Sequence, residues 1–156
     1  MDPLCQDTII LTDCIKYIKW GDIMQPVKRH LAIFKGNAGE LILNGQKTIE
    51  TRFARAKIAP FGVISSGDLV YIKPSGGDII GQFKVKKVIF YDNLDLSDLS
   101  HLRNLHEKEI AAGEDYWKAH ESAKYGALIF IGQSSKFITA PIKLPKKDLR
   151  GWVVLD

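Results

Sequence analysis

Residues 69–91 read LVYIKPSGGDIIGQFKVKKVIFY. Two apolar-rich runs flank Pro74–Ser75–Gly76–Gly77–Asp78, a cluster of turn formers, so the stretch reads as a β-hairpin. In the return strand Phe83 and Val85 alternate with Gln82, Lys84 and Lys86. After Lys87 the apolar phase shifts to Val88 and Phe90. A shift of phase inside one strand marks a bulge or bend. Strands that bend in this way leave one part of a sheet for another and build small barrels.

Working outward, a strand is expected at 27–34 (VKRHLAIF) and a helix at 38–44 (AGELILN), closed by Gly45. A β-type run, TIETRF, follows at 48–53. Residues 54–67 form a long connection broken by Pro60, Gly62 and Gly67. Beyond the hairpin, Ser97 or Asp98 is placed to cap a helix over 101–112, ended by Gly113. A second helix is expected over 115–124. ALIFI at 127–131 is apolar on both faces, as a central strand is. KFITA and PIKL look edge-like because of Pro141 and Pro145, and WVVLD makes a last strand. Many short strands with turn signals, interrupted by two helices, argue for an α+β chain: a small, strongly bent, closed or nearly closed β-barrel with flanking helices.

The chain has 156 residues, enough for one domain with its own core. Residues 7–20 carry Ile10, Cys14, Ile15 and Ile18 near one helical stripe, and residues 1–26 read as an N-terminal extension of a domain spanning 27–156. Two cysteines, Cys5 and Cys14, make no disulfide framework and no metal knuckle. They point to a reducing compartment, hence to a cytoplasmic protein. No apolar run is long enough to span a membrane, and the N-terminus lacks the basic start of a signal peptide.

The formal charge is +4, unevenly spread: 92–115 holds seven acids and two bases, 136–150 five bases and one acid. That polarity suits a basic face for a polyanion or a merely solvated surface. His30, His101, His106 and His120 form no i,i+4 pair, so no metal is expected. No phosphate-cradling glycine loop and no nucleophile elbow are present, and no cofactor is expected.

The chemistry concentrates in residues 45–52, Gly-Gln-Lys-Thr-Ile-Glu-Thr-Arg. Residues two apart on a strand share a face, so Thr48, Glu50 and Arg52 point one way while Ile49 and Phe53 point to a core. Lys47, at the junction of helix and strand, swings toward the same recess. A carboxylate between two cations is held ionised and oriented.

This octet resembles the G-x-K-x-x-E-x-R signature of the ASCH branch of the PUA-like fold. The surroundings agree: ELILNG before it, Gly67–Asp68 opening the next strand, then IIGQFKV and ALIFI. The resemblance covers roughly 27–155 and implies a PUA-like barrel whose cleft binds RNA or a modified nucleoside. On that reading Lys47, Glu50 and Arg52 line the cleft. Arg55, Lys57, Lys73 and Lys124 supply phosphate attraction, and the stacking ring is one of Phe53, Phe61, Tyr71, Trp117 or Tyr125, with Tyr125 preferred. Lys47→Ala and Arg52→Ala are then expected to weaken RNA binding with thermal stability nearly intact.

A second implication is a small hydrolase acting on RNA or on an acylated nucleoside, either a ribonuclease or an acetylcytidine amidohydrolase. The amidohydrolases use the motif lysine, a threonine three residues later and a distant glutamate. Lys47 matches, but Glu50 stands where the threonine belongs, and Glu107, Glu109 and Glu114 are rival counterparts of the glutamate. As an enzyme the chain would use Lys47 and Glu50.

Overall fold

A computed structural model describes residues 26–139 and 150–156; the expectations for 7–20 and for most of the basic tail lie outside them. The elements run β1 (Arg29–Phe34), α1 (Ala38–Leu43), β2 (Ile49–Ala54), β3 (Leu69–Pro74), β4 (Gly81–Tyr91), α2 (Leu96–Ile110), α3 (Glu114–Ala119), β5 (Tyr125–Lys136) and β6 (Trp152–Val154). The six strands form one curled sheet in the order β2-β5-β4-β3-β1-β6. All neighbours are antiparallel except β1 and β3, which run parallel because α1 and β2 separate them in the chain.

The hairpin forms as the turn chemistry demands, with Gly76 at φ 76°, a conformation glycine adopts without strain. The bend is present too. The register of β4 on β5 slips between Phe83 and Val85 and again between Val85 and Lys87, a little earlier than the apolar phase suggests. These slips curl the sheet, so its concave face encloses a core of Phe34, Ile42, Ile64, Ile72, Phe83, Ile129 and Trp152. α1 closes one end of this core at close range. A Cβ on Gly39 would come within 2.7 Å of Ile72 Cγ2, and one on Gly81 within 2.8 Å of Leu43 Cδ2 and 2.6 Å of the Ser135 carbonyl. The other face of β2, β5 and β4 packs on α2 and α3 through Ile49, Phe53, Leu94, Leu102, Trp117 and Leu128.

Helix boundaries depart from expectation. α2 starts at Leu96, and its cap is Asp95, whose carboxylate accepts from Asp98 N at 2.8 Å while Asp98 accepts from Asp95 N at 3.0 Å. Either Ser97 or Asp98 was the expected cap; Asp98 instead fills the N3 place of a reciprocal capping box. The left-handed residue ending α2 is Ala111 (φ 53°), and Gly113 instead precedes α3 in extended backbone. α3 is one short piece, so Tyr125 opens β5 and does not sit at a helix end.

A fully buried polar group joins β1, the start of β3 and β6. His30 has no solvent exposure. Its Nδ1 lies 3.0 Å from Trp152 Nε1 and its Nε2 lies 2.8 Å from Asp68 Oδ2. An indole N–H only donates, so Nδ1 accepts and the ring proton sits on Nε2, donated to Asp68. Asp68 also accepts from Ser65 N at 2.9 Å and Lys28 N at 3.1 Å. The Gly67–Asp68 pair thus fixes the loop that delivers the chain into β3.

Candidate functional site at the sheet margin

Strand alternation sorts the motif as expected. Ile49 and Phe53 enter the core beneath the helices, and Glu50 and Arg52 take the concave face. Thr51, on the helical side, is held by Tyr116, whose hydroxyl donates to the Thr51 carbonyl at 3.1 Å and pairs with its Oγ1. Burial, with the nearby Glu50 charge second, drives the Tyr116 pKa upward, so its phenol stays protonated.

β2 is one edge of the sheet and β6 the other, yet the curl brings them together, and Arg52 spans the margin. Its Nη2 donates to the Ile33 carbonyl on β1 at 2.9 Å. Its Nη1 reaches the Gly151 carbonyl, just before β6, at 3.3 Å. The guanidinium carbon lies 5.0 Å from the Phe34 ring centre and 5.1 Å from that of Trp152. A planar, weakly hydrated cation suits this place, where an ammonium would not serve as well.

Glu50 sits between the two cations. Oε2 faces Arg52 Nη2 at 3.5 Å, Oε1 faces Lys47 Nζ at 3.8 Å, and Oε1 accepts from Thr51 N at 2.8 Å. The residue is only 5 % exposed and Lys47 4 %. Lys47 also donates to the Ile110 carbonyl, an orphan acceptor at the C-terminus of α2 where the helix dipole favours a cation. Next to it, Thr48 N donates to the Glu109 carbonyl at 2.9 Å, so two consecutive residues latch the start of β2 to the end of α2. Burial is the main influence on Lys47 and lowers its pKa; Glu50 opposes this and Arg52 adds to it. The expectation that Lys47→Ala leaves stability intact fails here, because the side chain is an interior cation with structural partners.

The remaining expected residues are not gathered round Glu50. Lys73 stands opposite Ile33 on the parallel strand and shares the face of Tyr71, which packs in a separate outer cluster. Arg52, stacked on Phe34 and Trp152, lies on the other face. Arg55 donates to Ser122 Oγ at 2.9 Å, and Lys57 Nζ lies 5.5 Å from the Tyr125 ring centre, so these two, with Lys124 beside Tyr125, belong to the far end of β2 and β5. Phe34, Trp152 and Tyr116, which shape the site, were not singled out in the sequence, since each reads as an ordinary core aromatic.

The ASCH domain model matches residues 34–138. The chain belongs to the ASCH domain family. Among solved structures, the ASCH protein of Zymomonas mobilis matches at TM-score 0.64 with 14 % identity, covering 83 % of this chain and 88 % of that one. Two single-residue variants of it match at the same TM-score and identity, with 89 % and 91 % of their chains covered. At that identity the likeness shows the ASCH fold alone: a curled six-stranded sheet with three helices. No curated protein matches this ASCH chain. No helix among the described residues is long and apolar enough to cross a membrane.

Proposed function

We propose that this ASCH domain binds RNA and holds one nucleobase, ordinary or modified, against the Glu50 carboxylate at the sheet margin. The observation that carries the reading is a nearly buried carboxylate with acceptor capacity left over. An ionised carboxylate offers about four lone-pair sites. Among the described residues Glu50 receives one short hydrogen bond, from Thr51 N, and one long contact, from Arg52 at 3.5 Å. Lys47 faces it as an ion pair at 3.8 Å and also donates to the Ile110 carbonyl. A buried acceptor aimed by its neighbours and only partly satisfied is a ready partner for an amino or imino group of a base. Arg52, whose side chain keeps 22 % exposure, lends positive charge for the adjoining phosphate.

The test is binding of short single-stranded RNAs of each base composition, followed by fluorescence anisotropy. Glu50→Gln replaces an acceptor by a donor–acceptor of the same shape. It is expected to weaken the preferred base by about tenfold or more, as loss of a hydrogen bond to a charged group does, and to change the order of preference. A folded Glu50→Gln protein with unchanged affinity for every base refutes the reading.

One observation favours a hydrolase instead: burial lowers the Lys47 pKa, the direction a general base or nucleophile requires. Against it, Lys47 donates to Ile110, and the Thr51 hydroxyl is engaged by Tyr116. Product formation from an acetylated cytidine or a single-stranded RNA, abolished in Lys47→Arg, would establish the enzyme in place of the binder.

A further inference from the structure

We infer a second nucleic-acid contact on this domain: an aromatic and lysine platform built by Phe61, Phe90 and Tyr125 that stacks a base of single-stranded RNA. Phe61 lies 5.3 Å from Phe90 and 5.3 Å from Tyr125, ring centre to ring centre, with interplanar angles of 60° and 65°. Phe90 is 39 % exposed, and Phe61 and Tyr125 are half-buried. Beside it opens a shallow depression of about 610 Å³, lined by Ile64, Ser65, Ser66, Lys86, Lys87, Val88 and Phe90. Lys57 Nζ lies over the Tyr125 ring, and Arg55 and Lys124 are exposed nearby.

Charge decides the class of partner. The segments around the platform, 54–67, 86–91 and 124–127, contain five lysines and arginines and no acid. One exposed ring and two half-buried ones set among cations, with no carboxylate in these segments, suit a strand that is polyanionic along its backbone and π-faced along its bases. A membrane or an apolar peptide would call for a broader, continuous apolar face.

The platform also lies in line with the Glu50 site. Arg52 is opposite Ala127 and Ala127 opposite Phe90, so Arg52 and Phe90 share one face of the sheet. Two strand spacings, about 10 Å, separate them. Glu50 lies two residues from Arg52 on the same face, so a base on Phe90 and a base at Glu50 are within reach of one strand. The inference rests on the RNA reading above and gives that RNA a path and a single-stranded form.

The experiment uses the full chain and a 12-nucleotide oligoadenylate carrying one 2-aminopurine, whose fluorescence drops on stacking. Phe90→Leu is expected to weaken binding on the order of tenfold, to abolish the 2-aminopurine response at one position of the probe, and to leave the salt dependence unchanged. Phe90→Tyr is expected to bind as wild type, which separates stacking from folding. Lys57→Gln with Lys86→Gln is expected to flatten the slope of log K against log salt by roughly 1.4, two single-strand phosphate contacts. Unchanged affinity and fluorescence in Phe90→Leu overturns the platform. So does a change in sedimentation on that substitution without RNA, which would make the patch a surface between copies. Where Glu50→Gln alters base preference while Phe90→Leu does nothing, the platform fails and the Glu50 reading stands. Where wild type binds no RNA, both fail.

Discussion

Replacing Lys47 with methionine keeps a side chain of similar length and removes its charge. Three contributions set the outcome. The Nζ to Oε1 attraction at 3.8 Å is about 4 kcal/mol gross at an effective dielectric near 20. Taking the ammonium out of water costs several kcal/mol and offsets that attraction; burial is the largest influence on the Lys47 pKa and lowers it. The ion pair is therefore not where the stability lies. What remains is the charge-assisted hydrogen bond to the Ile110 carbonyl, worth about 1.5–3 kcal/mol, and the residual penalty of leaving Glu50 with Arg52 as its one nearby cation among the described residues. Lys47→Met is thus expected to destabilise by about 2–4 kcal/mol, toward the lower end for a broken buried pair. In a chain of this size that lowers Tm by roughly 5–15 °C. Urea unfolding followed by the fluorescence of buried Trp117 and Trp152 measures it. Adding Glu50→Gln to Lys47→Met is expected to cost less than the two single changes together. A Lys47→Met protein within about 0.5 kcal/mol of wild type, with additive double-mutant behaviour, would show that this lysine is not an interior cation.

Because the folded Lys47 pKa lies below its unfolded value of 10.5, the unfolded chain binds more protons between the two. The stability of wild type relative to Lys47→Met is expected to rise with pH across that window, and paired urea melts at pH 7 and 10 read the sign. Trp152→Phe removes the donor to His30 Nδ1 and leaves a buried nitrogen unpaired, for a loss of about 1–3 kcal/mol. In wild type, long-range nitrogen–proton NMR should show the His30 proton on Nε2. Gly81→Ala drives a Cβ to 2.6 Å from a backbone oxygen that cannot yield; a loss of about 1–3 kcal/mol is expected in thermal melts. Asp95→Ala removes the cap of α2, for about 1 kcal/mol.

The hairpin at 69–91 and its bend were legible because turn residues and apolar phase are local signals. So was the division of β2 into Ile49 and Phe53 on one side and Glu50 and Arg52 on the other. The burial of Lys47 was not legible, since it depends on the end of α2 arriving from sixty residues away. The role of Arg52 was hidden for the same reason: its carbonyl partners come from β1 and from the residue before Trp152. The family resemblance groups Arg55, Lys124 and Tyr125 with Glu50, but the strand register carries them to the other end of β2 and β5. The α2 cap was misplaced because 95–98 offers three capping residues in a row of four, and only the reciprocal bonds distinguish them.

Arg52 fastens the open side of the sheet with one flat cation where a full barrel would have a backbone ladder. Such a seam can breathe without disturbing the pairing of β3, β4 and β5. Amide protons of the three-residue β6 should therefore exchange with solvent well before those of the central strands, and a polynucleotide laid across the seam should slow them.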